Sequence, residues 1–274
     1  MSFDLDAYLQ RIGLAEPCPP SAEGLRRLQR AQLRSIAFEC IDPFLGKVPD
    51  LHPEALWEKL VLSDRGGYCF ELNSLFGQAL AAHGFDASPI MCRVRTALPE
   101  GGARSHLAWV VEIDGREWLS DCGFGGPCPP EPVLIEHGTE QVLGQARYRI
   151  RPLGREELLE RESDGDWRPL YSFERVTVIQ ADLEAANFVS ARWEHAPFSN
   201  NLMLSIFRDE GRLTVLNSVV RSETDGSRQA SSIASHEELA ELLEGPFGLK
   251  LAPETVTRIW RRLEAQRSER PGTE

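Results

Sequence analysis

The spacing of apolar residues changes character at Gly84, and that change restricts the fold more than any other feature. Before it, the segments Asp4 to Ile12, Ser21 to Ser35 and Pro53 to Leu62 place apolar side chains three and four residues apart, the repeat of an amphipathic helix, with Gly13 and Gly66 as stops. A fourth helix has the clearest stripe, formed by Leu72, Leu75, Phe76, Ala79 and Leu80, and Gly84 stands where a left-handed cap would end it. After Gly84 come short β-like runs broken by Gly and Pro: Ser88 to Val94, Ser105 to Ile113 and Arg116 to Asp121, then Ala146 to Arg151, Leu170 to Val178, Asn201 to Phe207 and Leu213 to Val220. Helix returns at the end. Ser235 with Glu238 forms a capping box before Leu239, Gly245-Pro246 stops that helix, and Pro253 opens a last one through Trp260, with a frayed tail past about Gln266. The expectation is an α+β protein in which a helical first part precedes a sheet or barrel.

Composition narrows the function classes. A chain of 274 residues, 42% hydrophobic and 26% charged, has the makings of a sizeable core. The formal net charge of -12, with no basic stripe, argues against nucleic acid as a partner. An anionic cofactor is still admissible, because a local arginine or a few N–H groups outweigh a distant field. The acidic start, Met1 to Gln10, does not read as a signal peptide, and no apolar run reaches the roughly 18 residues of a membrane span. A cytoplasmic protein with no membrane association is expected. Cysteines at 18, 40, 69, 92, 122 and 128 have neither disulfide-framework nor zinc-knuckle spacing, so reduced thiols and no metal are expected.

Three residues acquire a joint meaning from this outline. Asp114-Gly115 tolerates the positive φ angles of a two-residue hairpin turn, so Ile113 should face Arg116. That register puts Ala108 opposite Asp121 and Gly123 opposite His106. His106 and Asp121 are then diagonal neighbours on one face, about 7–8 Å apart at the backbone and within side-chain reach. Cys122 and Trp118 go to the other face with Leu107, Trp109 and Val111, where Cys122 is core rather than nucleophile. Cys69 follows Gly66-Gly67, which permit a tight turn and close backbone approach. It lies at the start of the fourth helix, whose free N–H groups favour a thiolate, and three residues before Leu72 it continues the inward stripe.

Each of these residues alone has a commoner explanation: Cys69 as core, His106 as a satisfied strand residue, Asp121 as a turn former. Together they satisfy the logic of a cysteine nucleophile, a histidine that takes its proton and an aspartate that fixes the imidazole tautomer. The residues by themselves specify a cysteine-nucleophile acyl-transfer enzyme.

The segment Arg65-Gly66-Gly67-Tyr68-Cys69-Phe70-Glu71-Leu72-Asn73-Ser74-Leu75-Phe76 resembles the active-site sequence of the bacterial arylamine N-acetyltransferases, in which the cysteine after Arg-Gly-Gly-x is acetylated. The likeness extends through Ile36 to Asp42, Ser105-His106-Leu107, Trp118 to Gly126, and more weakly Asp182 to Phe188 and Phe198. It implies an N-terminal helical bundle, a central β-barrel and a C-terminal α/β lid with a cysteine-protease-like Cys-His-Asp triad, divided on this chain as 1–85, 86–195 and 196–274. It further implies acetyl-CoA as co-substrate and a small aromatic amine or hydrazine as acceptor in a double displacement through an acetyl thioester on Cys69, with His106 and Asp121 as its partners, in a monomer or homodimer. Phe38, Tyr68, Phe124 and Phe198 would line a cleft that keeps the thioester from water, and Gly125-Gly126 would let the acetyl donor approach. The chain departs from the family pattern in two places: Ala37-Phe38-Glu39-Cys40 stands where Pro-Phe-Glu-Asn is common, and Cys122 where valine is usual after the aspartate.

Other readings of the same residues remain at this stage. A macrolactam-forming amide synthase uses the same triad, a cysteine hydrolase or transglutaminase-like enzyme uses the same order of residues, and a non-catalytic thiol protein could retain the fold.

Overall fold

The computed structural model describes residues 3–98, 100–208, 211–224 and 227–269. The first third is helical, as its spacing predicts: α1 Leu5–Ile12, α2 Ala22–Ser35, α3 Ile41–Phe44, α4 Pro53–Trp57 running into a π-helical turn Glu58–Leu62, and α5 Cys69–Ala82. Local chemistry sets the ends. Asp4 accepts the Ala7 N–H at 3.1 Å, Ser21 accepts the Gly24 N–H at 3.1 Å, and Gly13 closes α1 at φ 71°. A two-residue strand, β1 Phe38–Glu39, lies between α2 and α3.

Eight strands then form one antiparallel sheet: β2 Asp86–Val94, β3 Arg104–Ile113, β4 Arg116–Ser120, β5 Val133–Leu134, β6 Glu140–Leu143, β7 Ala146–Leu153, β8 Glu156–Ser163 and β9 Asp166–Phe173, in the order β5-β4-β3-β2-β9-β8-β7-β6. The sheet curls into a nearly closed barrel whose edge strands are stitched by one side chain. Gln141 donates to the Leu134 carbonyl at 2.8 Å and accepts the Leu134 N–H at 2.9 Å, standing in for a ladder rung. The β3–β4 hairpin has the register that Asp114-Gly115 predicts, Ile113 opposite Arg116, with φ values of 53° and 72° at the turn. Leu107, Val111 and Cys122 pack with the helices, and Ala108, Val110 and Leu119 fill the barrel.

Helices α6 Gln180–Arg192 and α7 Pro197–Asn200 lead to a second sheet of β10 Met203–Arg208, β11 Gly211–Leu216, β12 Val219–Thr224 and β13 Ser227–Ser232, followed by α8 His236–Glu244 and α9 Pro253–Glu269. Its fifth strand is β1, paired antiparallel with β10. Three sequence expectations need correction, and one element was not anticipated. The strand expected at Leu170 to Val178 is β9, which begins at Asp166 and ends at Phe173, because Pro169 is tolerated beside a register shift between Leu159 and Glu160. The run Leu213 to Val220 is two strands, since Asn217 at φ 54° makes a two-residue turn within it. Residues 180–192 are a helix that has no apolar stripe to announce it. The final helix continues past Gln266 to Glu269, and the rest of the expected tail lies outside the described residues.

Candidate active site

Cys69 is the first residue of α5 and is buried. Its preceding loop runs beside β1: the Glu39 N–H donates to the Gly67 carbonyl at 2.9 Å and the Gly67 N–H to the Ala37 carbonyl at 3.2 Å. Neither Gly66 nor Gly67 has a positive φ, so close approach rather than turn geometry requires glycine there. A Cβ on Gly66 would stand 2.2 Å from the Ala37 oxygen, and one on Gly67 2.8 Å from the Glu71 side chain. Glu71, in the first turn of α5, accepts the Tyr68 N–H at 3.2 Å and so fixes the entrance to the helix.

Beneath this loop lies an ion network. Lys59 Nζ bonds Asp42 at 2.7 Å and Glu71 at 2.6 Å, and Arg65 bonds Glu39 at 2.6 Å. Burial pushes the Glu71 carboxyl up, to about 7, with the Glu39 and Asp42 charges adding to the rise and Lys59 opposing it. Lys59 is held above its ordinary value because Glu71, Glu39 and Asp42 together outweigh its desolvation.

Four residues into α5, Asn73 joins the helix to the barrel. Its amide donates to the Leu107 carbonyl at 2.6 Å and to Asp121 Oδ1 at 2.9 Å, and its Oδ1 accepts the Cys122 N–H at 2.9 Å. Gly77, one turn on, leaves room for the Trp109 indole, which would lie 2.0 Å from a Cβ at that position and donates to the Asn73 carbonyl at 2.8 Å. These contacts seat the N-terminus of α5 over β3. The Cys69 Sγ stands 3.7 Å from the Ser105 carbonyl, one residue before His106, and the Gly123 backbone is so close that a Cβ there would be 2.8 Å from the Cys69 Cα.

His106 Nε2 and Asp121 Oδ2 are 2.7 Å apart, and both side chains are buried. Burial alone would raise the Asp121 carboxyl, but His106, the Asn73 amide and the Gly123 N–H hold it below the usual carboxylate range. Gln29 of α2 accepts from Ser120 Oγ at 2.6 Å and from the Asp121 N–H at 3.3 Å, so the acid is tied to two helices as well as to its own strand. Burial and the Asp121 charge push the Cys69 thiol up, although the Leu107 and Phe70 N–H groups pull it down. The N-terminal N–H groups of α5 and its neighbouring strand thus act on the sulfur against its desolvation.

Of the aromatic residues singled out in the sequence, Phe124 packs on His106, while Phe38 and Tyr68 both pack on Phe198. Phe124 stands edge-on to His106 with ring centres 5.1 Å apart, Phe38 and Phe198 are 6.1 Å apart, and Tyr68 meets Phe198 at 5.4 Å. The Tyr68 hydroxyl is bound by Asn187 of α6. Gly125, at φ 70°, brings its backbone so near Phe38 that a Cβ would sit 2.6 Å from the ring; the Gly126 carbonyl accepts from Arg212. Tyr171, which no sequence motif marks, packs on both His106 and Phe124 at 5.0 and 5.1 Å. Cys40 fills the role of a polar residue at its position: its sulfur accepts the Met203 N–H and donates to the Asn201 carbonyl, each at 3.2 Å. Cys122 is buried in the core shared with the helices.

A family model described as N-acetyltransferase matches residues 21–256. The arylamine N-acetyltransferase / N-hydroxyarylamine O-acetyltransferase of Salmonella typhimurium is 31% identical over 91% of this chain and 90% of its own length, and the arylamine N-acetyltransferase of Mycolicibacterium smegmatis is 31% identical over 92% and 94%. The solved structure of the Mycobacterium marinum arylamine N-acetyltransferase in complex with CoA superposes with a TM-score of 0.90 at 31% identity, covering 96% of this chain and 99% of that one. Agreement of this kind in sequence and fold leaves one assignment: the chain belongs to the arylamine N-acetyltransferase family.

Proposed function

We propose that the protein transfers an acetyl group from acetyl-CoA to an aromatic amine or hydrazine through a thioester on Cys69. The working parts are the segment 1–85 carrying the nucleophile, 86–195 carrying its partners, and 196–274 covering them. The observation that carries the reading is the Asp121-bound imidazole on the strand against which the Cys69 thiol lies.

With Nε2 engaged by Asp121, Nδ1 of His106 is the ring atom free to take a proton. In the first half-reaction the Cys69 sulfur attacks the acetyl carbonyl while its proton passes to His106. The tetrahedral intermediate collapses with cleavage of the bond to the CoA sulfur, and His106 returns the proton to the leaving thiolate. In the second half the amine nitrogen attacks the thioester carbonyl, His106 takes the N–H proton, and breaking the C–S bond regenerates the thiol. Because burial opposes ionisation of the thiol, the imidazole and Asp121 are the groups that draw off its proton. Asp121, kept anionic by its hydrogen bonds, stabilises the imidazolium in each half. The rings of Phe38, Phe124 and Phe198 keep water from the thioester and present an apolar face to an aromatic acceptor.

Six free cysteines support a reducing, cytoplasmic setting. Intact-mass measurement after brief exposure to acetyl-CoA, followed by peptide mapping, tests the mechanism. One acetyl group on Cys69, discharged by an added arylamine, is the expected result; acetylation of another residue, or none, refutes it.

A further inference from the structure

Helix α6 is seated with polar residues inward. It buries Asn187 and Ser190 beside Ala191, and the Asn187 amide donates to the Pro49 carbonyl at 2.9 Å while its oxygen accepts the Tyr68 hydroxyl. The outward side is left with the large apolar groups. Phe188 is 60% exposed, Val189 45% and Trp193, just past the last turn, 56%; Ala185 and Ala181 are exposed on the same side one and two turns earlier, and Ile179 before the first turn is exposed as well. Ten large apolar side chains are exposed among the described residues, and five of them fall between Val176 and Trp193. Single exposed apolar residues are ordinary, whereas a contiguous group marks a surface that another surface covers. The neighbouring loop widens the group: Arg192 donates to the Gly46 carbonyl at 2.7 Å, Asn187 to that of Pro49, and Val48 between these two anchors is exposed.

The charges at the two ends of the helix indicate what covers this face. Asp182 and Glu184 stand near its start and Arg192 at its end. A second copy of α6 laid antiparallel, about a two-fold axis near Ala186 and Asn187, brings Arg192 of each copy level with Asp182 of the other. The same axis sets Ala185 against Phe188 and Val189, small against large, and places Ile179 beside Trp193. Each pairing occurs twice, as an isologous contact requires. With aromatic side chains of about 150–250 Å² among them, the exposed groups offer roughly 600 Å² per copy. That is the low end of the roughly 1,200–2,000 Å² in total that specific complexes bury. A formal net charge of -12 on each copy opposes approach, so a reversible dimer is expected rather than a permanent one.

We propose that the protein self-associates as a two-fold dimer through the outward face of α6 and the adjoining Val48. The interface does not depend on the chemistry at Cys69, but it lies behind it. The inner side of α6 holds Tyr68, the residue before Cys69, so pairing braces from outside a helix that supports the loop of the nucleophile.

Sedimentation velocity of the whole protein over a range of concentrations tests this. A reversible monomer–dimer equilibrium is expected, with no larger species. Phe188→Glu and Arg192→Glu should each raise the dissociation constant at least tenfold. The thermal melting of monomeric Phe188→Glu should match that of the monomeric parent, because this ring is mostly solvated there. The register has its own readout: the six native cysteines are buried, so new surface thiols report on their own positions. Under mild oxidation, Ala185→Cys protein mixed with Val189→Cys protein should form several times more cross-linked dimer than either variant alone. A protein that stays monomeric at every concentration, a dimer that Phe188→Glu leaves intact, or cross-linking no greater in the mixture overturns the assignment. Flotation of a strictly monomeric protein with phosphatidylcholine vesicles overturns it too, by giving this face to lipid.

Discussion

The Asp121 carboxylate is 2.7 Å from His106 Nε2 and 2.9 Å from the Asn73 amide, so the acid that orients the imidazole is itself held by the helix that carries the nucleophile. Replacing Asp121 with Asn keeps the shape but removes the charge and lets the imidazole adopt the wrong tautomer. Turnover should fall by on the order of 10⁴-fold, as in related triads. Steady-state kinetics on folded Asp121→Asn protein checks this, and a loss of less than tenfold would contradict the assigned role.

The Asn73 side chain satisfies three buried groups: the Leu107 carbonyl, Asp121 and the Cys122 N–H. Asn73→Ala leaves these groups without that partner and should destabilise the fold by roughly 2–4 kcal/mol. Urea unfolding measures the loss. Activity should fall further than the change in folded fraction explains, because Asp121 loses one of its anchors.

Gly125→Ala meets two obstacles, a φ of 70° and the face of Phe38 at 2.6 Å. The left-handed conformation alone costs an L-residue about 1–2 kcal/mol. Relief requires Phe38 to move, which changes the shape of the acceptor pocket. The KM values for acetyl-CoA and for arylamine should both rise, which steady-state kinetics measures; two unchanged values would contradict the placement of this loop beside the reacting groups.

Glu71 links pH to stability. Its carboxyl is pushed up from 4.5 to about 7 in the folded protein. The native state therefore binds more protons than the unfolded chain between those values, and its contribution, fully present below pH 4.5, is lost as the pH rises through about 7. In Glu71→Gln this part of the pH dependence should disappear. Chemical denaturation of both proteins at several pH values from 4.5 to 7.5 gives the comparison; parallel curves would refute the assignment.

How much of this was legible in the chain depended on whether a signal was local. Asp114-Gly115 fixed a turn, the turn a register, and the register put His106 and Asp121 on one face. The same dipeptide at Asp164-Gly165, with φ values of 55° and 84°, turns β8 into β9, yet Pro169 two turns of the pleat later reads as a break and hides the start of β9. Helix α6 was hidden for another reason: it buries Asn187, Ser190 and Ala191 and exposes Phe188 and Val189, the reverse of an apolar stripe. The network of Glu39, Asp42, Lys59, Arg65 and Glu71 was not legible because charges scattered over thirty-odd residues look solvated until tertiary packing gathers them. Tyr171 lies in a strand that contributes to the site only after the barrel curls.

Strand β1 has only Phe38 and Glu39, but it is flanked by the loop before Cys69 on one side and by β10 on the other. Damage to the C-terminal sheet, by heat or by a protease nick, therefore has a direct mechanical route to the sulfur. Inactivation and disruption of that distant layer should proceed together, as two faces of one event.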